Sequence, residues 1–204
     1  MHPKLCATVS ELFYEGNLST PPAVASKRQR QDKTGVWLCP VEDGVEEKPH
    51  GRSLENKEEA RCALRLYESH APREDDRRSF LVITFYRAQE ALLRRVFEEA
   101  GHTESDVPGR GLRIVTVDKS QGSEADVVIV SCVRSNQRGD IGFLSNPNRT
   151  NVAISRARCR LLLVGNPHTL SKKPGMWLDI LRACKVIESG EELARLAPLP
   201  RVLS

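Results

Sequence analysis

The 204-residue chain contains no G-x-x-x-x-G-K-[S/T], so it has no loop of its own to cradle the β- and γ-phosphates of a nucleotide. It also has no acidic strand-end motif to act as a Walker B magnesium site. Six cysteines (Cys6, Cys39, Cys62, Cys132, Cys159 and Cys184) are scattered without a C-x-x-C pair or a nearby histidine at ligand spacing. Neither zinc nor a disulfide framework is expected, and the thiols in apolar runs read as small core residues. No apolar run approaches the roughly 20 residues that span a bilayer. The opening MHPKLCATVS lacks a basic segment followed by a long apolar one, so no signal peptide is read there. The expected compartment is reducing, cytoplasmic or nuclear, with no membrane partner. No internal repeat occurs.

What is present suits one globular domain. Hydrophobic residues make up 39% and charged residues 28%, enough for a buried core beneath a polar surface. A formal charge of +4 and a pI near 8.8 permit a nucleic-acid partner without demanding one.

Apolar Leu5, Val9, Leu12 and Phe13 at helical spacing predict a short helix over residues 2–13. Residues 15–33, with Pro21-Pro22 and the basic cluster Lys27-Arg28-Gln29-Arg30, read as a surface loop. Residues 36–41 read as a strand near a sheet edge because of Pro40, and 42–52 as a second loop. Ser53 is a candidate cap for a helix whose apolar face is Ala60, Ala63, Leu64 and Tyr67. A charged loop, PREDDRRS, then leads to strand 80–85 (FLVITF). The next helix has Ala88, Leu92, Leu93, Val96, Phe97 and Ala100 on one face and Gly101 at its end. Strands follow at 112–117, 126–133 and 159–165, with a short helix around 149–158. Residues 171–204, with Pro198 and Pro200, read as a variable tail. Strands apolar on both faces, alternating with amphipathic helices, predict an α/β fold with a parallel sheet flanked by helices.

Polar clusters sit at the joints of this pattern, and the C-terminal ends of parallel strands are where ligands bind in such sheets. Gly122, in Gln121-Gly122-Ser123-Glu124, lets backbone approach a ligand, and the Glu124 carboxylate can accept bonds from ribose hydroxyls. The segment 151–158 (NVAISRAR) holds Arg156, packed through Val152, Ala153 and Ala157 so that its guanidinium is aimed outwards. A fixed cation of this kind stabilises the charge that spreads over a phosphoryl group in transfer. Arg158 and Arg160 also fit a salt-bridged surface helix.

Residues 111–166, carrying IVTVDKSQGSE, DVVIVSCVR and NVAISRAR, resemble motifs V and VI of superfamily 1 helicases. The nearest group is that of senataxin, Aquarius and the nonsense-mediated-decay helicase. Residues 83–89 (ITFYRAQ) resemble the group's motif IV, I-T-P-Y-x-x-Q, with Phe85 in place of proline. The resemblance covers residues 1–170 and implies the second RecA-like domain, with loops 15–33 and 42–52 inserted. It assigns Gln121, Gly122, Glu124, Arg156 and Arg158 to ATP, with Glu124 on the ribose and Arg156 as the arginine finger. It assigns Thr84, Tyr86, Thr116, Asp118, Ser120 and Arg149 to a single strand of RNA or DNA. Ser120 stands where relatives often carry an aromatic residue, and Tyr86 reads equally well as a packing residue at a helix start. The P-loop and most of the ATP and Mg2+ site would belong to a first RecA-like domain, a partner in cis or in trans. The group carries Q-Y-R-M-H-P where this chain opens Met1-His2-Pro3, so a fragment of a longer helicase is expected. Alone, the chain is expected to hydrolyse no ATP. The alternative reading is a non-catalytic scaffold for nucleic acid or protein that has lost its partner ATPase domain.

Overall fold

The computed structural model describes residues 1–28, 35–49, 51, 53–70, 78–105, 107 and 110–187, with no description of the side chains of 27 and 28. Residues 29 and 30 of the basic cluster, 72–77 of the charged loop and the end of the tail at 188–204 therefore lie outside the described residues, while Ser79 at the end of that loop already opens β2. The elements in chain order are α1 (Pro3–Phe13), α2 (Pro22–Arg28), β1 (Gly35–Pro40), α3 (Lys57–His70), β2 (Ser79–Thr84), α4 (Arg87–Glu99), β3 (Gly111–Thr116), β4 (Ala125–Ser131), α5 (Pro147–Ser155), β5 (Ala157–Gly165), α6 (Pro167–Ser171), α7 (Met176–Ala183) and β6 (Lys185–Val186). Short 3-10 helices occupy Val117–Lys119 and Gly142–Ser145.

All strand pairs are parallel, in the order β3-β2-β4-β5-β1-β6. The sheet separates two cores because successive strand residues point to opposite faces. In β2, Leu81 and Ile83 join α1, α5 and α7, while Phe80 and Val82 join α3 and α4. β4 and β5 divide in the same way, with Val128 and Leu161 on the first face and Val127 and Leu162 on the second. Burial on both faces explains why these strands read as continuous apolar runs rather than alternating ones.

Several local expectations change. Asn56, not Ser53, caps α3: its Oδ1 accepts from the Glu59 amide at 3.2 Å. Ser53 instead accepts from the Ala88 amide at 2.9 Å and so satisfies the first turn of α4. The loop read at 15–33 contains the short helix α2. α5 ends at Ser155, so Ala157 and Arg158 belong to β5 rather than to the helix. Arg160 is not on a surface helix either; it is fully buried in β5 with its guanidinium over the Trp37 ring at 5.3 Å. Past residue 170 the chain is regular as far as β6. Trp177 and Ile180 of α7 are buried in the first core, and Trp177 Nε1 donates to the Leu144 carbonyl at 2.9 Å. Pro40 stands near a sheet edge as read, because β6 pairs only with Trp37 and Leu38 of β1. No helix among the described residues is long and apolar enough to cross a membrane.

Candidate functional site at two ends of one sheet

The polar clusters do not all gather beyond the C-terminal ends of the strands. The chain leaves β3 at Thr116, passes through the 3-10 helix Val117–Lys119 and returns along the sheet to enter β4 at Ala125. Asp118 therefore lies at the C-terminal end and Glu124 at the N-terminal end. Six residues of β2 at about 3.3 Å rise separate the ends by roughly 16 Å. α5 makes the same journey: Arg149 in its first turn meets Asp118, and Arg156 at its C-cap meets Ser123. Asn146 starts this helix by accepting from the Asn148 and Arg149 amides, with Pro147 at its first position.

The N-terminal end carries Gln121, Gly122, Glu124, Arg156 and Arg158. Gly122 has φ of +78°, and a Cβ there would meet nothing within 4 Å. The turn thus needs glycine for its conformation and leaves its backbone approachable. Beside it is a cleft of about 180 Å3, lined by Arg110, Arg113, Gly122, Glu124 and Arg158. Arg113 Nη1 donates to Ser123 Oγ at 3.3 Å, and Arg158 Nε donates to Glu124 Oε2 at 3.2 Å. Arg156 is half-buried and turned back rather than aimed outwards. Its Nε donates to the Val152 carbonyl at 3.0 Å, its Nη2 to Ser155 Oγ at 3.0 Å and its Nη1 to the Ser123 carbonyl at 3.5 Å. The first of these bonds caps a carbonyl in the last turn of α5, and the other two tie the guanidinium to Ser155 and to the turn before β4.

The C-terminal end is more closed. Thr84, Tyr86, Thr116 and Ser120 are all buried. Ser120 Oγ donates to the Val117 carbonyl at 2.7 Å. Tyr86 packs at the start of α4, with its ring 5.2 Å from Phe143 and its hydroxyl near Arg134 Nη1 at 3.5 Å. Its phenol is pushed up by burial, against the opposing pull of Arg134. Of the residues assigned to a nucleic acid, Asp118 and Arg149 present side chains to solvent. They form a two-point pair, Nε to Oδ1 and Nη2 to Oδ2, both at 3.1 Å. Arg149 also lies over the half-exposed Phe143 ring at 5.3 Å.

Residues not singled out from sequence hold this end together. Arg134 donates to Glu46 at 2.8 Å and pairs with Asp140 at 2.9 Å, and Glu46 also accepts from the Ser135 amide at 2.8 Å. Gly142, φ +50°, leaves room for Arg134 and Tyr86 where a side chain would collide with both. Beneath lies fully buried Glu59, which accepts from Ser131 Oγ and from the Val133 amide at 2.7 Å each. Asn56 Nδ2 donates to the Val133 carbonyl at 3.2 Å. Together they hold Val133 at φ +72°, a left-handed conformation that β-branched residues avoid. Burial pushes the Glu59 carboxyl up to about 8, against the opposing effect of these donors. An arginine just after an apolar strand, Val133-Arg134, was a usable signal for one of these residues; Glu46 sits in an acidic loop that gives none. No group of three metal-ligating side chains occurs among the described residues.

A six-stranded parallel sheet covered on both faces by helices is a RecA-like α/β fold. The chain belongs to the family described as AAA domain, whose model matches residues 1–168, and is a C-terminal domain of the superfamily 1 helicase group that includes the regulators of nonsense transcripts. It is 34% identical over 193 residues to the "Regulator of nonsense transcripts 1 homolog" of Drosophila melanogaster, covering 91% of this chain and 16% of that protein. It is 32% identical over 214 residues to the "Probable helicase MAGATAMA 3" of Arabidopsis thaliana, covering 100% of this chain and 25% of that one. The chain thus spans between 16% and 25% of the length of these relatives. Among solved structures, the C-terminal domain of a possible DNA helicase from Lactobacillus plantarum aligns with 80% of this chain and 84% of its own, at 17% identity and a TM-score of 0.44.

Proposed function

We propose that this domain is the C-terminal half of an ATP-dependent RNA or DNA helicase, presenting its two sheet ends to different ligands. The N-terminal end meets ATP held with Mg2+ on the P-loop of a first RecA-like domain. The C-terminal end forms part of a single-strand track. The observation that carries this is α5, one short helix with Arg149 at one end and Arg156 at the other. A helix of nine residues is about 13 Å long and moves as a unit. A shift of Arg156 on a nucleotide is therefore felt at Arg149.

The residues at the N-terminal end suit a nucleotide. Several guanidinium groups around a cleft match a polyanion, and the Glu124 carboxylate matches vicinal hydroxyls. When bound, ATP supplies the free energy of phosphoryl transfer, and this domain positions and neutralises. Glu124 leaves Arg158 to hold the ribose, Gly122 offers backbone and Gln121 approaches the nucleotide from the turn. Arg156 swings off Val152 and Ser155 to reach the γ-phosphoryl oxygens; Arg158, released, pairs with phosphate. At the other end, phosphates and sugars contact Arg149, Asp118 and the backbone around Thr84, Tyr86, Thr116 and Ser120, whose side chains shape the surface from below. Binding there is salt-sensitive and tolerant of sequence. Such a protein works in the cytoplasm or nucleus, where single-stranded RNA or DNA and ATP occur together.

One feature favours the scaffold reading: Arg156 has its donors turned inwards and Glu124 is already paired with Arg158. A single experiment separates the two. The chain is combined, fused or in trans, with a first RecA-like domain, and nucleic-acid-stimulated ATP hydrolysis is measured. Hydrolysis that appears in the pair, is absent from either part alone and is lost with Arg156→Ala supports the helicase half. A pair that forms a stable complex, binds ATP and stays inactive supports the scaffold.

A further inference from the structure

We propose that Cys39 and Cys62 form an oxidisable pair that closes to an intramolecular disulfide when the protein meets a hydroperoxide. None of the six cysteines is in a disulfide, yet these two sulfurs face each other at 3.0 Å. Cys39 sits on β1 and Cys62 in the second turn of α3. Both elements are fixed from elsewhere: β1 is paired to β5 along its whole length, and α3 is buried through Ala60, Ala63 and Leu66. The fold, not chance encounter, holds the thiols together, and closing to the roughly 2.05 Å of a disulfide needs an approach of about 1 Å.

The two sulfurs are unequal in a way that suits the chemistry. Cys39 is only partly buried, whereas Cys62 is 3% exposed. The Cys62 S–H beside it and the Arg65 guanidinium hold the Cys39 thiol below its ordinary value, and the same contact pushes Cys62 up. The thiolate is the reactive form. By contrast, burial pushes the Cys132 thiol up, and it has no exposed surface. The Cys39 thiolate attacks one oxygen of hydrogen peroxide; the O–O bond breaks, giving a sulfenic acid on Cys39, and the departing hydroxide takes a proton to leave as water. The Cys62 sulfur then attacks the Cys39 sulfur, the S–O bond breaks and a second water leaves with the Cys62 proton. Two thiols and one peroxide become one disulfide and two waters, with two electrons passing to the peroxide.

The bond would close the segment between the two cysteines. That segment contains Glu46, which holds Arg134, and Asn56 and Glu59, which hold Val133. Oxidation therefore stiffens the supports of the C-terminal sheet end, whatever ligand that end takes. Constraining a loop of this size raises stability chiefly by restricting the unfolded chain.

The native chain is treated with hydrogen peroxide, denatured in iodoacetamide, digested and mapped by mass spectrometry. The expected result is a Cys39–Cys62 cross-linked peptide, abolished by dithiothreitol, and a thermal midpoint about 5 °C above that of the reduced protein. With Cys62→Ala, Cys39 stops at a sulfenic acid that dimedone traps. Recovery of Cys39 and Cys62 as separate alkylated peptides from the treated native protein would overturn the proposal. So would a linkage joining Cys39 to any other cysteine.

Discussion

The two ends of the sheet are built from similar residues and do different things with them. At the N-terminal end, Arg110, Arg113 and Arg158 surround an open cleft beside a glycine turn. At the C-terminal end, Arg134 is 7% exposed and already engaged by Glu46, Asp140 and Tyr86. The cleft arginines have partners at an open surface, Arg158 with Glu124 and Arg113 with Ser123, whereas Arg134, locked between two carboxylates, builds the surface from beneath. The count of arginines at a site therefore says less than the number of their donors left to spend on a ligand.

The sharpest separation of the ends comes from Arg156→Ala. In the proposed two-domain helicase it is expected to lower the ATPase rate by about 10³–10⁵, with single-strand affinity measured without nucleotide nearly unchanged in filter binding or anisotropy. Loss of nucleotide-free binding as well would mean that Arg156 supports the C-terminal end structurally rather than through ATP. Next is Trp177→Ala, which removes a buried indole and its bond to Leu144 under the 3-10 helix that carries Phe143. It should cost about 3–5 kcal/mol in denaturant unfolding. Because Leu144 also accepts from Thr150 Oγ1, hydrogen exchange should rise first around residues 142–150 and not around 121–125.

An effect of comparable size tests the buried support of the C-terminal end. Glu59 holds its proton more tightly in the folded chain, at about 8, than at its ordinary 4.5. Its contribution is fully present below about pH 4.5, declines as the pH rises through the folded value near 8 and is flat above that. The slope is at most about 1.4 kcal/mol per pH unit. Urea unfolding between pH 5.5 and 8.5 should show the decline, and Glu59→Gln should flatten it. The least costly change is at the exposed surface. Arg149→Ala should weaken single-strand binding less than tenfold and reduce the salt slope by about one. Asp118→Asn, which frees Arg149, should strengthen binding at low salt; equal loss from both variants would place the strand elsewhere.

The apolar runs at 80–85, 112–117 and 126–133 corresponded to strands within one or two residues, because burial on both faces demands continuous apolar sequence. The helix faces of α3 and α4 followed from 3.6-residue spacing for the same reason, except that Ala100 stands exposed at the C-cap of α4 rather than on its buried face. Helix starts were less secure: Ser53 and Asn56 are equally good capping residues, and which one serves α3 depends on Ser53 being drawn to the Ala88 amide across the fold. The apolar residues of α7, and its role as a cover for the first core, went unread because Met176–Ala183 is too short for periodicity to stand out.

Sequence alone, through local chemistry and spacing, determined the alternation of strands and helices, the absence of a P-loop and the grouping of Gln121, Gly122 and Glu124 on one turn. Distances across the fold were decided only in three dimensions. Asp118 and Glu124 are six positions apart yet lie at opposite ends of the sheet, because the segment between them runs back along the strands. Arg156 turns inwards because its donors meet the Val152 carbonyl, the Ser155 hydroxyl and, across the fold, the Ser123 carbonyl, and Tyr86 is buried because Phe143 and Arg134, far along the chain, close over it. Such contacts join residues with no fixed relation in sequence, so no periodicity records them; packing creates them.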